Sequence, residues 1–92
     1  MKFGVFDYIE GSEAVLARSY DDRMELIRAL EAAGFYSYHL SEHHATPLSM
    51  TPSPFIFLAA AARETRKLRL GTLLTLLPLY HPMRLFEEIC ML

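Results

Sequence analysis

Cysteine is nearly absent from this sequence. Cys90 is the only cysteine among the 92 residues, so a disulfide bond within the chain is excluded. Structural disulfides belong mainly to secreted proteins, and their absence is typical of proteins in a reducing compartment. We therefore expect a cytoplasmic protein.

Long apolar runs and basic runs are also missing. The aliphatic run at residues 70–80 is much shorter than the roughly 20 residues that span a bilayer, and Pro78 interrupts it. The apolar stretch at the N-terminus is shorter than the roughly 7–15 apolar residues of a signal peptide. The net charge is −2, and the basic residues at 63–69 fit the C-terminal end of a helix. We expect neither a membrane nor a nucleic acid as partner.

Phosphate-binding loops are missing as well. The sequence contains no Gly-x-Gly-x-x-Gly motif and no P-loop. In (β/α)₈ barrels, however, the phosphate site usually follows the seventh and eighth strands. Its absence from a segment with fewer strands therefore excludes no class of barrel enzyme.

Three apolar runs separated by helical patterns dominate what the sequence does contain. Residues 2–7, 35–40 and 68–74 read as strands, and their starts recur every 33 residues, the size of one βα unit. The first helix is predicted to open at a capping box, Ser19 with Asp22, and to end before Gly34. A second helix should begin at Pro54, and a third should cover residues 83–92. Apolar strands in this alternation predict a parallel sheet, in the order 1-2-3, covered by helices.

Three βα units cannot close a barrel, which needs about 250 residues. Hydrophobic residues make up 52% of the chain, a high share for this length, and the last helix lacks a C-terminal cap signal. We therefore expect residues 1–92 to be a single partial domain whose surplus apolar surface meets structure outside this segment. Alone, such a segment should not be a stable monomer.

Histidines cluster after the second predicted strand, and three interpretations remain open. Residues 39–43 read His-x-x-Glu-His, an inverted zincin pattern, but that pattern needs a helix and its context here is strand and loop. Histidines at the carboxyl end of a parallel strand also suit acid–base catalysis. The third interpretation is structural, with His39, His43 or His44 orienting the loop. The sequence favours no metal site.

The third predicted strand carries a second unusual stretch at residues 71–75, Gly-Thr-Leu-Leu-Thr. It ends at the same edge of the predicted sheet as the histidine cluster. On composition alone it is bulky aliphatic core, and nothing in it marks a cofactor site.

Taken together and in order, these segments resemble the bacterial luciferase family of flavin-dependent monooxygenases, without a gap from residue 1 to residue 92. No single segment is specific, whereas the ordered set is. The matching segments are residues 1–4, 33–35 and the Glu-His-His of 42–44, then Pro54 with the alanines at 59–61, residues 70–72, Leu77-Pro78 and His81-Pro82.

The resemblance implies a fold and a chemistry. The fold would be the N-terminal βαβαβα portion of a (β/α)₈ TIM barrel. The activity would be oxygenation of a small organic substrate with reduced FMN and O₂, the flavin being supplied by a separate reductase. One alternative is a deazaflavin-dependent oxidoreductase that transfers hydride. Another is a truncated fragment that has no catalytic activity and only associates with other chains.

The resemblance also implies site residues and an assembly. His43, the first histidine of the Glu-His-His motif, would be the catalytic residue. The cofactor-binding segment would be Leu73, Leu74 and Thr75, with a non-proline cis peptide at Leu73-Leu74. Two leucines depart from the small residues of the family pattern there. The family pairs subunits through its second and third helices, and the alanines at 59–62 suit such a homo-oligomer.

Overall fold

A computed structural model describes residues 1–11 and 15–92. Its elements alternate strand and helix along the chain, with a short 3₁₀ turn at Leu77–Leu79 before the last helix. The strands are β1 (Gly4–Asp7), β2 (Ser37–Leu40) and β3 (Arg69–Thr72), and the helices are α1 (Leu16–Ala32), α2 (Pro54–Glu64) and α3 (Pro82–Met91). None of the helices that the structure describes has the length and apolarity needed to cross a lipid bilayer.

The sheet has three parallel strands in the order β1-β2-β3, which confirms the predicted topology. In register, Ser37 pairs with Gly4 on one side and with Arg69 on the other. The strands are shorter than predicted, because each regular ladder covers only four residues. Single bonds extend the pairing at both ends, as when Tyr36 N–H donates to Phe3 O and Leu73 N–H donates to Leu40 O.

The core lies between one face of the sheet and helices α1 and α2. Tyr38 and Leu40 on β2 are fully buried there, against Ile27 of α1 and Leu58 of α2. Alternate residues of a strand point to opposite faces. His39 therefore projects from the other face, which the described residues leave largely open. The α/β class inferred from the apolar runs is thus confirmed, with the core on one side only.

Helix α1 ends as predicted but begins earlier. Gly34 adopts a positive φ of 76°. Gly34 N–H donates to Glu31 O, and Phe35 N–H donates to Leu30 O, the two bonds of a Schellman motif. The start predicted at Ser19 is wrong, because the helix already begins at Leu16 without a side-chain cap. Of the loop before it, residues 12–14 lie outside the described part of the chain.

A carboxylate fastens the amino end of β3 to α1. Glu31 accepts hydrogen bonds from the backbone N–H groups of Leu68 (2.7 Å), Lys67 (3.0 Å) and Arg66 (3.1 Å). The bond from Leu68 N–H, followed by those from Arg66 and Lys67, lowers the pKa of Glu31 below its usual 4.5. The connection between α2 and β3 is therefore stabilised by an ionised side chain at the edge of the sheet where the strands begin.

The Glu31 contact makes stability depend on pH. A carboxyl whose pKa is lower in the folded state stabilises that state above its unfolded pKa and loses this contribution as the pH falls through the folded pKa. In the full-length protein, Glu31→Gln should lower the melting temperature by a few degrees at pH 7. The difference from wild type should shrink as the pH falls below 4.5. Thermal melts at several pH values would measure it, and a constant difference across that range would contradict this account.

Much apolar surface is left without a neighbour. Within the described residues, β1 and β3 each pair with a strand on one side only. Large side chains beside these edges are half exposed or more, among them Phe3, Phe6, Leu73, Leu74 and Leu77. Burying one such side chain contributes roughly 1.5–3 kcal/mol, a large part of the roughly 5–15 kcal/mol that stabilises a domain.

We therefore expect a polypeptide of residues 1–92, produced alone, to associate or aggregate. Unpaired apolar strand edges are templates for pairing with another chain. Size-exclusion chromatography at several concentrations, with a thermal melt, would test this. A species of monomer size that melts cooperatively at high dilution would contradict it.

Candidate functional site

The carboxyl ends of the three strands meet at one edge of the sheet, and the loops that follow them contact one another there. Met50 N–H donates to Ile9 O at 2.6 Å, and Gly11 N–H donates to Pro47 O at 2.7 Å. The loop after β1 is therefore joined to the long loop after β2. In parallel α/β folds this edge is where ligands bind.

His39 lies on the open face of β2, level with Phe6 and Gly71 of the neighbouring strands. Its ring packs against Gly71, where an added Cβ would lie only 3.1 Å from Nδ1 of the histidine. That Nδ1 is buried and has no hydrogen-bond partner among the described residues. The ring is thus fixed by packing, and one of its polar atoms is left unsatisfied.

The zincin interpretation fails on backbone geometry. His39 belongs to a strand and residues 41–44 to a loop, so His39 and His43 do not share a helical face. Across the part of the chain that the structure describes, no three His, Cys, Asp or Glu side chains are grouped as a metal site.

Glu42 was noted in the sequence only as part of the Glu-His-His motif, and its role at this edge was not predicted. Its side chain is fully buried. Oε1 lies 2.9 Å from Nε2 of His44, and Oε2 accepts a hydrogen bond of 3.0 Å from the backbone N–H of Leu76. Glu42 thereby joins the loop after β2 to the segment after β3. The sequence signal was its place in the Glu-His-His motif, two residues after the end of β2.

The predicted catalytic residue, His43, is exposed and follows Glu42 in the same loop. It lines an open groove together with Leu16 and Tyr20 of α1 and with Met50 and Pro52. This places His43 beyond the carboxyl end of β2, at the edge where it was predicted. Its catalytic role stays a prediction.

Buried hydroxyl groups hold the loop that carries His43. Ser49 Oγ lies 2.7 Å from Thr51 Oγ1 and accepts a bond of 3.3 Å from Ser41 Oγ, and Thr51 Oγ1 donates to Ser41 O. Tyr20 of α1 adds a bond of 2.7 Å from its hydroxyl to Met50 O. These bonds satisfy polar groups that would otherwise be buried without partners, so they order residues 41–51.

The predicted cofactor segment follows β3 directly. The Leu73–Leu74 peptide is cis, as the family resemblance implied. Leu73 and Leu74 are 51% and 57% exposed, and Thr75 Oγ1 lies 2.7 Å from Thr72 Oγ1. The hydrogen bond from Leu76 N–H to Glu42 connects this segment to the histidine loop. The structure thus brings the two sets of predicted site residues to one edge of the sheet.

A second buried network anchors the carboxyl ends of β1 and β2 to α1. Asp7 Oδ2 accepts a hydrogen bond of 2.7 Å from the Tyr38 hydroxyl and forms an ion pair with Arg23 at 2.9 Å. Burial, followed by the bond to Asp7, raises the pKa of Tyr38 far above its usual value. Tyr38 therefore stays neutral and acts as a donor, which suits a structural role.

The chain is similar to known proteins over its whole length. The family model described as luciferase-like monooxygenase matches residues 1–92. An uncharacterised protein of Sinorhizobium fredii is 51% identical over the whole chain, which covers 27% of that relative. The oxygenase component of the flavin-dependent trigonelline monooxygenase of Acinetobacter baylyi is 31% identical over 99% of the chain, which covers 26% of it.

A solved structure shows the same fold. The oxygenating constituent of 3,6-diketocamphane monooxygenase from Pseudomonas putida, in complex with FMN, matches with a TM-score of 0.87. The sequences are 24% identical, and the match covers 97% of this chain and 25% of that one. The likeness confirms the expected portion of a TIM barrel. The chain spans about a quarter of the length of these proteins.

The hydroxyl network around Ser49 should be important for stability. Ser49→Ala removes a buried oxygen that bonds both Ser41 and Thr51, so it should cost about 1–3 kcal/mol in the full-length protein. The matched control is Ser53→Ala, because Ser53 is exposed and its side chain makes no capping hydrogen bond at the start of α2. That control should change stability by less than about 0.5 kcal/mol. Urea titrations of both variants measure the difference, and equal effects would contradict the proposed importance of the network.

Proposed function

Because the chain belongs to the luciferase-like monooxygenase family, we propose that it supplies the first three βα units of an FMN-dependent monooxygenase. The enzyme would use reduced FMN and O₂ to oxygenate a small organic substrate. The observation that supports the proposal is that the loop of His43 and the Leu73–Thr75 segment both follow strands at the carboxyl edge of the sheet, where Leu76 N–H donates to Glu42. Residues 1–92 would then be a partial domain.

The side chains at this edge fit a flavin ring. An isoalloxazine is a flat ring system with a large apolar face, and it needs apolar side chains to lie against. Leu73 and Leu74 present such surface, and Phe6 presents more on the open face of the sheet, where it is 50% exposed. Nδ1 of His39 is on the same face and has no hydrogen-bond partner among the described residues. A polar group of a bound ligand could supply one. Bound reduced FMN would supply the electrons that activate O₂.

His43 would hold or move a proton at this edge. An imidazole can donate or accept a hydrogen bond through its ring nitrogens. The buried hydroxyls of Ser41, Ser49 and Thr51 order the loop that carries it, which limits the positions that its ring can take. An imidazole carried on an ordered loop at this edge suits general acid–base catalysis.

Partners follow from the same proposal. The trigonelline monooxygenase relative is named as an oxygenase component, which supports a separate reductase as the source of reduced flavin. A homo-oligomer would use α2 and α3. On α2, Ile56, Ala59 and Ala60 are exposed, and on α3, Met83 and Phe86 are 66% and 67% exposed. Small residues on a helix let a second helix approach closely, and exposed apolar faces favour such pairing.

Isotope labelling separates this function from hydride transfer with a deazaflavin coenzyme. With reduced FMN and ¹⁸O₂, a monooxygenase places one labelled oxygen atom in the product. A deazaflavin-dependent oxidoreductase would turn over without O₂ and incorporate no label. An unlabelled product formed under nitrogen would overturn the monooxygenase proposal.

Replacing His43 tests its role. In the full-length protein with saturating reduced FMN, His43→Ala should lower turnover roughly 10²-fold, the usual loss for a general acid or base. FMN binding and the melting temperature should stay close to wild type, because the side chain is exposed. Single-turnover kinetics of product formation measure the effect. Unchanged turnover would show that His43 is not catalytic.

A further inference from the structure

The buried carboxylate of Glu42 contacts two separate segments of the chain. A fully buried, ionised side chain costs free energy unless its oxygens are paired. Both oxygens of Glu42 are paired, and their partners lie on different segments: Nε2 of His44 two residues along the chain, and the backbone N–H of Leu76, 34 residues away.

The two segments that Glu42 joins are the two halves of the candidate site. His43 lies between Glu42 and its partner His44, so the catalytic candidate belongs to a three-residue stretch held at both ends. Leu76 directly follows Thr75, the last residue of the predicted flavin segment. A shift of Glu42 would therefore change the spacing between His43 and the Leu73–Thr75 segment.

A third group lies close to the same carboxylate. Burial raises the pKa of the Tyr80 hydroxyl, and the negative charge of Glu42 raises it further. The Tyr80 ring packs edge-on against Phe55 of α2, with ring centroids 6.2 Å apart. In the segment after β3, Leu76 is therefore bonded to Glu42, and Tyr80 packs against α2. These two contacts restrain the backbone between them.

We propose that Glu42 is a positioning residue, which fixes the Leu73–Thr75 segment relative to His43 by bonding Leu76 N–H and His44 at once. This proposal rests on the proposed function, which assigns His43 to catalysis and residues 73–75 to the flavin. That Glu42 joins the two loops does not depend on that assignment. Glu42 need not contact flavin or substrate, since it acts through the spacing of the groups that do.

The chain provides a matched control at the opposite edge of the sheet. Glu31 is also a glutamate that accepts backbone N–H bonds from a distant segment, but it holds the amino end of β3. Replacing it should loosen residues 66–68 and leave the carboxyl edge in place. Glu31→Met therefore reproduces the loss of a carboxylate contact without touching the candidate site.

Amide hydrogen exchange in the full-length protein tests the contact directly and needs no flavin. Glu42→Met keeps the side-chain volume but removes both acceptors, so exchange at Leu76 should be about tenfold faster or more, because the amide loses its bond. Glu42→Gln keeps one acceptor and should give a smaller increase. Glu31→Met should speed exchange at residues 66–68 and not at Leu76. Unchanged exchange at Leu76 in Glu42→Met would overturn the proposal.

Kinetics with reduced FMN then separate positioning from simple destabilisation. Glu42→Met should lower kcat about tenfold or more, as expected for misplaced reacting groups, while Glu31→Met should leave kcat near wild type. His44→Ala removes one of the two partners of Glu42, and the His44 side chain itself is exposed. This variant should therefore lose less kcat than Glu42→Met. Equal kcat losses in Glu42→Met and Glu31→Met would also overturn the proposal. A wild-type protein without flavin-dependent turnover would contradict the proposed function alone, and the exchange result would still decide whether Glu42 fixes Leu76.

Discussion

Parallel pairing of β2 with both of its neighbours is the constraint on which the rest of the structure depends. Because the three strands run in one direction, their carboxyl ends meet at one edge and their connections must return over a face of the sheet. Tyr38 and Leu40 then point to the side where α1 and α2 pack, and His39 points to the other side. His39, Glu42, His43 and the Leu73–Thr75 segment all lie in β2 or in a loop that follows β2 or β3.

Two glutamates stabilise the segments before and after β3. Glu31 accepts three backbone N–H groups where β3 begins, and Glu42 accepts one where the chain continues beyond β3. A carboxylate suits both places because it has only acceptor sites and satisfies backbone donors that regular structure leaves unpaired. The first contact is near solvent and serves stability. The second is buried among residues of the candidate site.

The strands, their order and the C-terminal end of α1 could be predicted because local signals determine them. Runs of aliphatic residues predict buried strands, and Gly34 lies where a left-handed residue is needed. The start of α1 could not be found, since Leu16 has no capping side chain before it and Ser19 offered a false signal. The contact of Glu42 could not be predicted because its partner is a backbone N–H 34 residues away, and no sequence pattern marks such a donor. The positions of His43 and Leu73–Thr75 came from family resemblance, not from composition.

On the open face of β2, Ser37 and His39 fit because the neighbouring strands have glycines beside them. His39 is accommodated because Gly71 opposite it has no side chain, and Ser37 Oγ occupies the space that a Cβ on Gly4 would need. Each polar residue of the central strand is thus matched by a glycine on one flank. A side chain at position 4 would require Ser37 Oγ to move, whereas one at position 71 would require the His39 ring to shift by a few tenths of an ångström. Substitutions at positions 4 and 71 are therefore better tested together with changes at their partners, 37 and 39.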